Sequence, residues 1–210
     1  MARSSGRIFL LSPADCSGKR ATLLASHDGN FDLARQMRTP AGAELGEVFS
    51  FVSSLYFRGK LAYARAFARA PGNVSGAYVI TPSDGLRPPE SRITRKDLRR
   101  YARVPVDPAE RRYRIPFLRD LEALAEEARD AEFVLLGSIA SGKYAELLTS
   151  VLARRLLFPE DFVGRGDMSR GGLMLRCARD GRELRYVALI DAERRGLRPA
   201  RLPPLETPRS

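Results

Sequence analysis

Glu132-Phe-Val-Leu-Leu-Gly137, running on into Ser138-Ile-Ala-Ser-Gly142-Lys143, decides the fold. The first half is a short apolar run of the length of one buried strand. The second half is a turn of small and polar residues. Beyond it Leu147, Leu148, Val151 and Leu152 recur at helical spacing. Two other runs have the same form. Arg7-Ile-Phe-Leu-Leu11 empties into Ser12-Pro-Ala-Asp-Cys-Ser-Gly-Lys-Arg20, and Gly76-Ala-Tyr-Val-Ile-Thr81 into Pro82-Ser-Asp-Gly-Leu-Arg-Pro-Pro-Glu90. Three apolar strands separated by helices imply parallel pairing through right-handed crossovers.

The intervening segments supply those helices. Ala21 to Ser26 suits a short one. Leu45, Val48, Phe49, Val52 and Leu55-Tyr56, with Tyr63 and Phe67, mark an amphipathic stretch broken near Gly59. Thr94 with Asp97 reads as the start of a basic helix reaching Arg103, and residues 117–129 form another. Asp180-Gly181 predicts a hairpin turn between strands at 173–178 and 183–189. From Glu193 to Ser210 the chain is rich in Arg, Pro and Leu without periodicity. The expectation is one Rossmann-like three-layer α/β domain over 1–192, with a mostly parallel sheet, a C-terminal antiparallel hairpin and an irregular basic tail over 193–210.

Composition narrows the chemistry. The 210 residues carry a formal charge of +11, and only four of the 36 basic residues are lysines. Two cysteines and one histidine cannot build a cysteine zinc site or a multi-histidine scheme, so no metal and no cofactor are expected. No run approaches the ~18 apolar residues of a membrane span, and the N-terminus lacks a signal-peptide pattern. The expected setting is the cytoplasm, with no membrane partner. Residues 87–114 hold ten basic residues against four acidic ones, over half of the net charge. Arg92, Arg95, Lys96, Arg99, Arg100, Arg103, Arg111 and Arg112 form the expected nucleic-acid surface there. Tyr101 and Tyr113, interleaved among them, suit base stacking.

In an open α/β sheet, ligands bind at the carboxyl ends of the strands. The loops after Leu11, Ile80 and Leu136 should therefore converge. Gly137 to Lys143 fits G-x-x-x-x-G-K, in which backbone N–H groups and a lysine hold phosphate. Tyr144 stands where a nucleotide hydrolase needs Ser or Thr for magnesium. Gly137, Ser138, Gly142 and Lys143 are candidates for anion binding, with Lys19 of the echoing Ser17-Gly18-Lys19. Asp15 is the candidate base on water if partial burial raises its pKa, and otherwise a turn former. Asp84, before Gly85, reads first as a turn residue and then as a site residue, and Glu90 is presented rigidly after two prolines. Cys16, with Lys19 and Arg20 nearby, would have a lowered pKa and a distant base in His27. In Gly164-Arg-Gly-Asp-Met-Ser-Arg-Gly-Gly172, Arg165 and Arg170 would close over an anion. Asp167 would orient a hydroxyl or serve as the acid–base group.

Leu11-Ser-Pro-Ala-Asp15 after an apolar strand resembles the opening of the peroxide-stress protein YaaA family. Leu55-Tyr-Phe-Arg-Gly-Lys-Leu-Ala-Tyr-Ala64, with Thr81-Pro-Ser-Asp-Gly-Leu86, resembles small bacterial domains of unknown function. Those are similar to accessory domains of nucleobase-modifying transglycosylases and share a loose Rossmann-like likeness with uracil-DNA glycosylases. The resemblance spans residues 7–90 and implies nucleic-acid association. The glycosylase histidine motif has no counterpart, which leaves Asp15 as the positional analogue of a water-activating carboxylate.

Three functions stay open. One is a nucleic-acid- or nucleotide-handling hydrolase cleaving a nucleobase glycosidic bond through Asp15. Another is a non-catalytic DNA- or RNA-binding protein gripping phosphates with its arginine surface. The third is a regulatory domain holding a phosphate ligand between Lys19 and Lys143. A strand-end pocket containing Asp15 favours the first, and a flat basic surface the second. Oligomeric state is not legible.

Overall fold

The computed structural model describes residues 6–26, 29–140, 142–194, 196–200 and 202. The chain enters at β1 (Arg7–Leu11), followed by the short helices α1 (Lys19–Ala25) and α2 (Asp32–Arg38), β2 (Ala43–Glu44) and the long α3 (Leu45–Phe67). Next come β3 (Ala77–Ile80), β4 (Leu86–Arg87), β5 (Arg92–Ile93), α4 (Arg95–Tyr101) and α5 (Arg111–Glu127). The C-terminal third holds β6 (Glu132–Leu136), α6 (Gly142–Leu152), β7 (Leu156–Pro159), α7 (Asp167–Asp180) and β8 (Tyr186–Ala188).

Six strands form one sheet in the order β4-β3-β1-β6-β7-β8, and β2 pairs with β5 in a separate ribbon. β1 lies at the centre, parallel to both β3 and β6, and β6 is parallel to β7. Only the outer pairs, β3–β4 and β7–β8, are antiparallel. Ile8 to Leu11 and Phe133 to Leu136 have no exposed surface. That is why the two runs are continuously apolar: a central parallel strand is covered on both faces.

Chain path fixes the layers. β1 leads outward to β3, and β3 then crosses back over β1 to reach β6. Right-handed crossovers therefore place α3 on one face and α5 and α6 on the other. In agreement, α5 packs on α6, while α3 packs on β1 and, most extensively, on α7. The result is the expected three-layer α/β domain.

Three local expectations are corrected. Residues 173–178 are helical, within α7, so no hairpin forms around Gly181. Gly181 instead ends that helix in the left-handed conformation (φ 63°), and its N–H is bonded to the Cys177 carbonyl. The antiparallel partner of β8 is β7. The break in α3 lies at Ser54 (φ 48°, ψ −128°), not at Gly59. Gly59 has a different task. A Cβ there would sit 2.5 Å from the Gly171 carbonyl oxygen, and a Cβ at Gly171 would sit 2.7 Å from that of Leu55. The two glycines let the backbones of α3 and α7 touch, so the 164–172 segment, expected to close as a loop over an anion, is largely a helix locked against α3. The basic helix behaves as expected: the Thr94 and Asp97 capping box opens α4. α2 and β7 were not anticipated. The described residues of the tail carry no helix or strand.

Gly171→Ala should lower stability by about 2 kcal/mol through overpacking at a backbone contact, roughly 4–8 °C in a thermal melt of a chain this size. Gly172→Ala is the control. Its Cβ would meet only the flexible end of Arg176, at 3.3 Å, and alanine favours the helix by roughly 1 kcal/mol.

Candidate functional site

Neighbouring strands β1 and β6 send their chains to opposite faces of the sheet, so a crevice opens between their carboxyl ends. Ser12, Asp15 and Ser17 line it from the loop after β1, and Ser138, Lys143 and Tyr144 from the segment after β6. Pro82 after β3, Tyr56 of α3, Arg103 after α4 and Asp167 at the start of α7 complete the walls. The cleft measures about 600 Å³. The three strand-end loops converge as the apolar runs predicted, and the 164–172 segment reaches them through Asp167.

The floor is a polar cluster. Lys60 of α3 is fully buried. Its Nζ donates to the Ser12 carbonyl at 3.0 Å, lies 2.6 Å from the Ser12 Oγ and sits 3.9 Å from the centre of the Tyr56 ring. Burial pushes the Lys60 amine down to about 7; Asp167 partly offsets this and Arg170 adds to it. The Tyr144 hydroxyl accepts the Ser138 N–H at 3.0 Å and is also bonded to Ser12. Burial raises its pKa. Lys60 escaped the sequence reading because its neighbours, Arg58 and Gly59, look like helix surface. The apolar spacing of Tyr56, Phe57, Tyr63 and Ala64 around it was the available signal.

Expected site residues divide. Asp15 faces the cleft but is exposed. Its carboxylate accepts the Ser17 hydroxyl at 2.6 Å and the Ser17 N–H at 2.9 Å. Those bonds outweigh burial and, with Lys143 nearby, hold its pKa below the usual value. The premise that burial would raise it is thus reversed: Asp15 is an ionised turn carboxylate. Lys143 is exposed on the wall, whereas Lys19 opens α1 and is not among the lining residues. The glycine-lysine loop is in place between β6 and α6. Yet the Ser138 N–H, which a phosphate would take, already serves Tyr144. Gly137 lies at the strand end against Ser12, Gly142 starts α6, and Ser141 is outside the described residues.

Arg165 and Arg170 do not clamp the cleft. Arg165 donates to the Asp161 carbonyl and the Ser169 hydroxyl, and buried Arg170 donates twice to the Phe162 carbonyl. Both guanidiniums hold their own segment together. Cys16 is buried, and burial pushes its thiol up to about 12, opposite to the lowering expected from Lys19 and Arg20. His27 lies outside the described residues. Asp84 accepts from Arg100 at 2.6 Å and from the Tyr101 hydroxyl at 2.8 Å, pinning α4 to the β3–β4 turn. Glu90 lies 3.8 Å from Arg65.

A second concavity, about 1040 Å³, adjoins the first. Arg38, Arg95, Lys96, Arg99, Arg100, Arg103, Arg111 and Arg112 line it. Arg103 borders both spaces. Among the described residues Lys96, Arg103 and Arg111 have no ion pair, whereas Arg100 pairs with Asp84 and Asp97 and Arg112 with Glu110. Arg92 is turned away, its guanidinium on the carbonyls of Ala41 and Gly42. Tyr101 and Tyr113 are buried core residues, the latter stacked on Phe117, so they offer no platform for bases. Among the described residues no helix is long and apolar enough to cross a membrane, and no cluster of three His, Cys, Asp or Glu side chains could hold a metal ion. No family model matches the chain, and no curated protein or solved structure is found to be similar to it.

Because Lys60 holds its proton less tightly folded (about 7) than unfolded (10.5), the unfolded chain binds more protons between those values. Its burial therefore costs least at high pH. The stability of the wild type relative to Lys60→Met should rise by roughly 2 kcal/mol from pH 7 to pH 9 in urea unfolding, following the linkage relation.

Proposed function

We propose that this chain binds nucleic acid, with phosphates along the basic concavity and one nucleotide unit entering the cleft between β1 and β6. The observation that carries the reading is Arg103, whose side chain borders both spaces. A track rich in arginine suits a run of phosphates. A polar cleft of about 600 Å³ at a sheet's switch point is within the usual range for a small ligand. Within it, Asp15 is the group that would serve hydrolysis of a nucleobase glycosidic bond. Held ionised by Ser17, it suits stabilising a cationic sugar better than abstracting a proton.

Binding to duplex and single-stranded DNA and to RNA should weaken steeply with salt, with a log–log slope near −5 on duplex DNA if about six phosphates are neutralised. Lys96→Ala with Arg103→Ala should make that slope shallower by about 2. Fluorescence anisotropy at several salt concentrations measures both. Absence of binding at low salt, or a slope the double variant leaves unchanged, rejects the reading. If wild-type protein releases free base, Asp15→Asn should abolish release and spare binding.

A further inference from the structure

Lys60 is costly to the fold. An amine with no exposed surface loses its hydration, and a methionine of similar volume would pack there without that cost. Its bonds go to one residue, Ser12, the first after the central strand, and Ser12 lines the cleft. The Ser12 Oγ therefore has a buried amine 2.6 Å away on one side and the Tyr144 hydroxyl on the other. Tyr144 accepts from Ser138 N–H, so its own proton is available to Ser12. A serine hydroxyl between a lysine and a tyrosine is a nucleophile beside a base, with a donor to steady the alkoxide. Lys143 and Arg103 on the walls offer two cations to an anionic substrate, set against the carboxylates of Asp15 and Asp167 on the same walls.

We propose that Ser12 is an activated nucleophile toward a phosphate ester bound in the cleft, with Lys60 as its base and Tyr144 as hydrogen-bond donor to the attacking oxygen. This rests on the preceding section only in giving the cleft a phosphate-bearing ligand; it does not need the basic concavity. In the first step the Ser12 proton passes to the neutral Lys60 amine and the Oγ–P bond forms. The P–O bond to the leaving group breaks, and the departing oxygen keeps the bonding pair and takes a proton from water. The hydroxide so formed attacks the phosphoserine, phosphate leaves, and the Lys60 ammonium returns its proton to Ser12. Net, one ester and one water give one alcohol and one phosphate. Lys60 near 7 is neutral for a useful fraction of the time at physiological pH. The groups that act on it are Ser12, Tyr56 of its own helix, and Asp167 and Arg170 of α7, whose opposite charges act on it in opposite directions; Tyr144 of α6 meets the shared Ser12 hydroxyl.

The test treats the full chain with a fluorophosphonate, in which the Ser12 O–P bond forms as P–F breaks and fluoride leaves. Intact mass and peptide mapping should find one adduct, on Ser12. Its rate should rise with pH through about 7 and level off above. Lys60→Met should slow labelling about 100-fold or more. Tyr144→Phe should slow it roughly tenfold while keeping the pH profile. The wild-type profile keeps the test decisive should Lys60→Met fail to fold. p-Nitrophenyl phosphate should leave phosphate on Ser12 with release of nitrophenol. Turnover of p-nitrophenyl acetate with none of the phosphate ester would overturn the substrate assignment. No adduct on Ser12, or labelling at a rate flat from pH 5 to 9, overturns the inference whatever the nucleic-acid titration gives. An adduct without nucleic-acid binding leaves it standing and removes the earlier reading.

Discussion

Backbone contact between α3 and α7 at Gly59 and Gly171 sets the geometry of everything on that face of the sheet. Each glycine is flanked by a residue of the cleft's electrostatics: Lys60 follows Gly59, and Arg170 precedes Gly171. With side chains in place of the two hydrogens the helices would stand further apart. Asp167 would then leave the cleft, and the Lys60 amine would lose the covering that excludes water. The break in α3 adjoins this contact. The turn of direction is taken at Ser54, immediately before Leu55, whose carbonyl oxygen Gly171 approaches.

Against that helical pair the sheet supplies the fixed frame. β1 is central, paired in parallel on both sides, and covered on both faces, so the position of Ser12 at its end is tightly determined. The Ser12 N–H continues the ladder to the Leu136 carbonyl. A side chain placed by the last rung of a central strand is held with little freedom, as a group meeting a ligand needs to be. The loops around it are ordered by their own bonds. Ser17 folds the first loop on Asp15, and Tyr144 reaches back to Ser138.

Charge is unevenly spent. Several arginines that look like ligand contacts in the sequence are structural: Arg92 and Arg170 bind carbonyls, and Arg100 holds Asp84 and Asp97. Beside α4 and the start of α5, Lys96, Arg103 and Arg111 line the concavity and lack ion pairs among the described residues. The field of the surface thus depends on fewer side chains than the composition suggests.

The three parallel strands are legible in the residues alone, because a strand buried on both faces must be continuously apolar. So is the start of α4, because a capping box is a local pattern of two side chains. The convergence of the loops after Leu11, Ile80 and Leu136 followed from the same strands. Tertiary structure alone decided that residues 173–178 are helical, since Asp180-Gly181 is as good a helix terminator as a hairpin turn. It alone decided that Tyr101 and Tyr113 are core, since burial of an aromatic among arginines depends on what packs over it. Lys60 is the clearest case. One lysine in an amphipathic helix reads as surface, and only the glycine contact with α7 and the approach of Ser12, 48 residues away in the chain, bury it beneath the cleft.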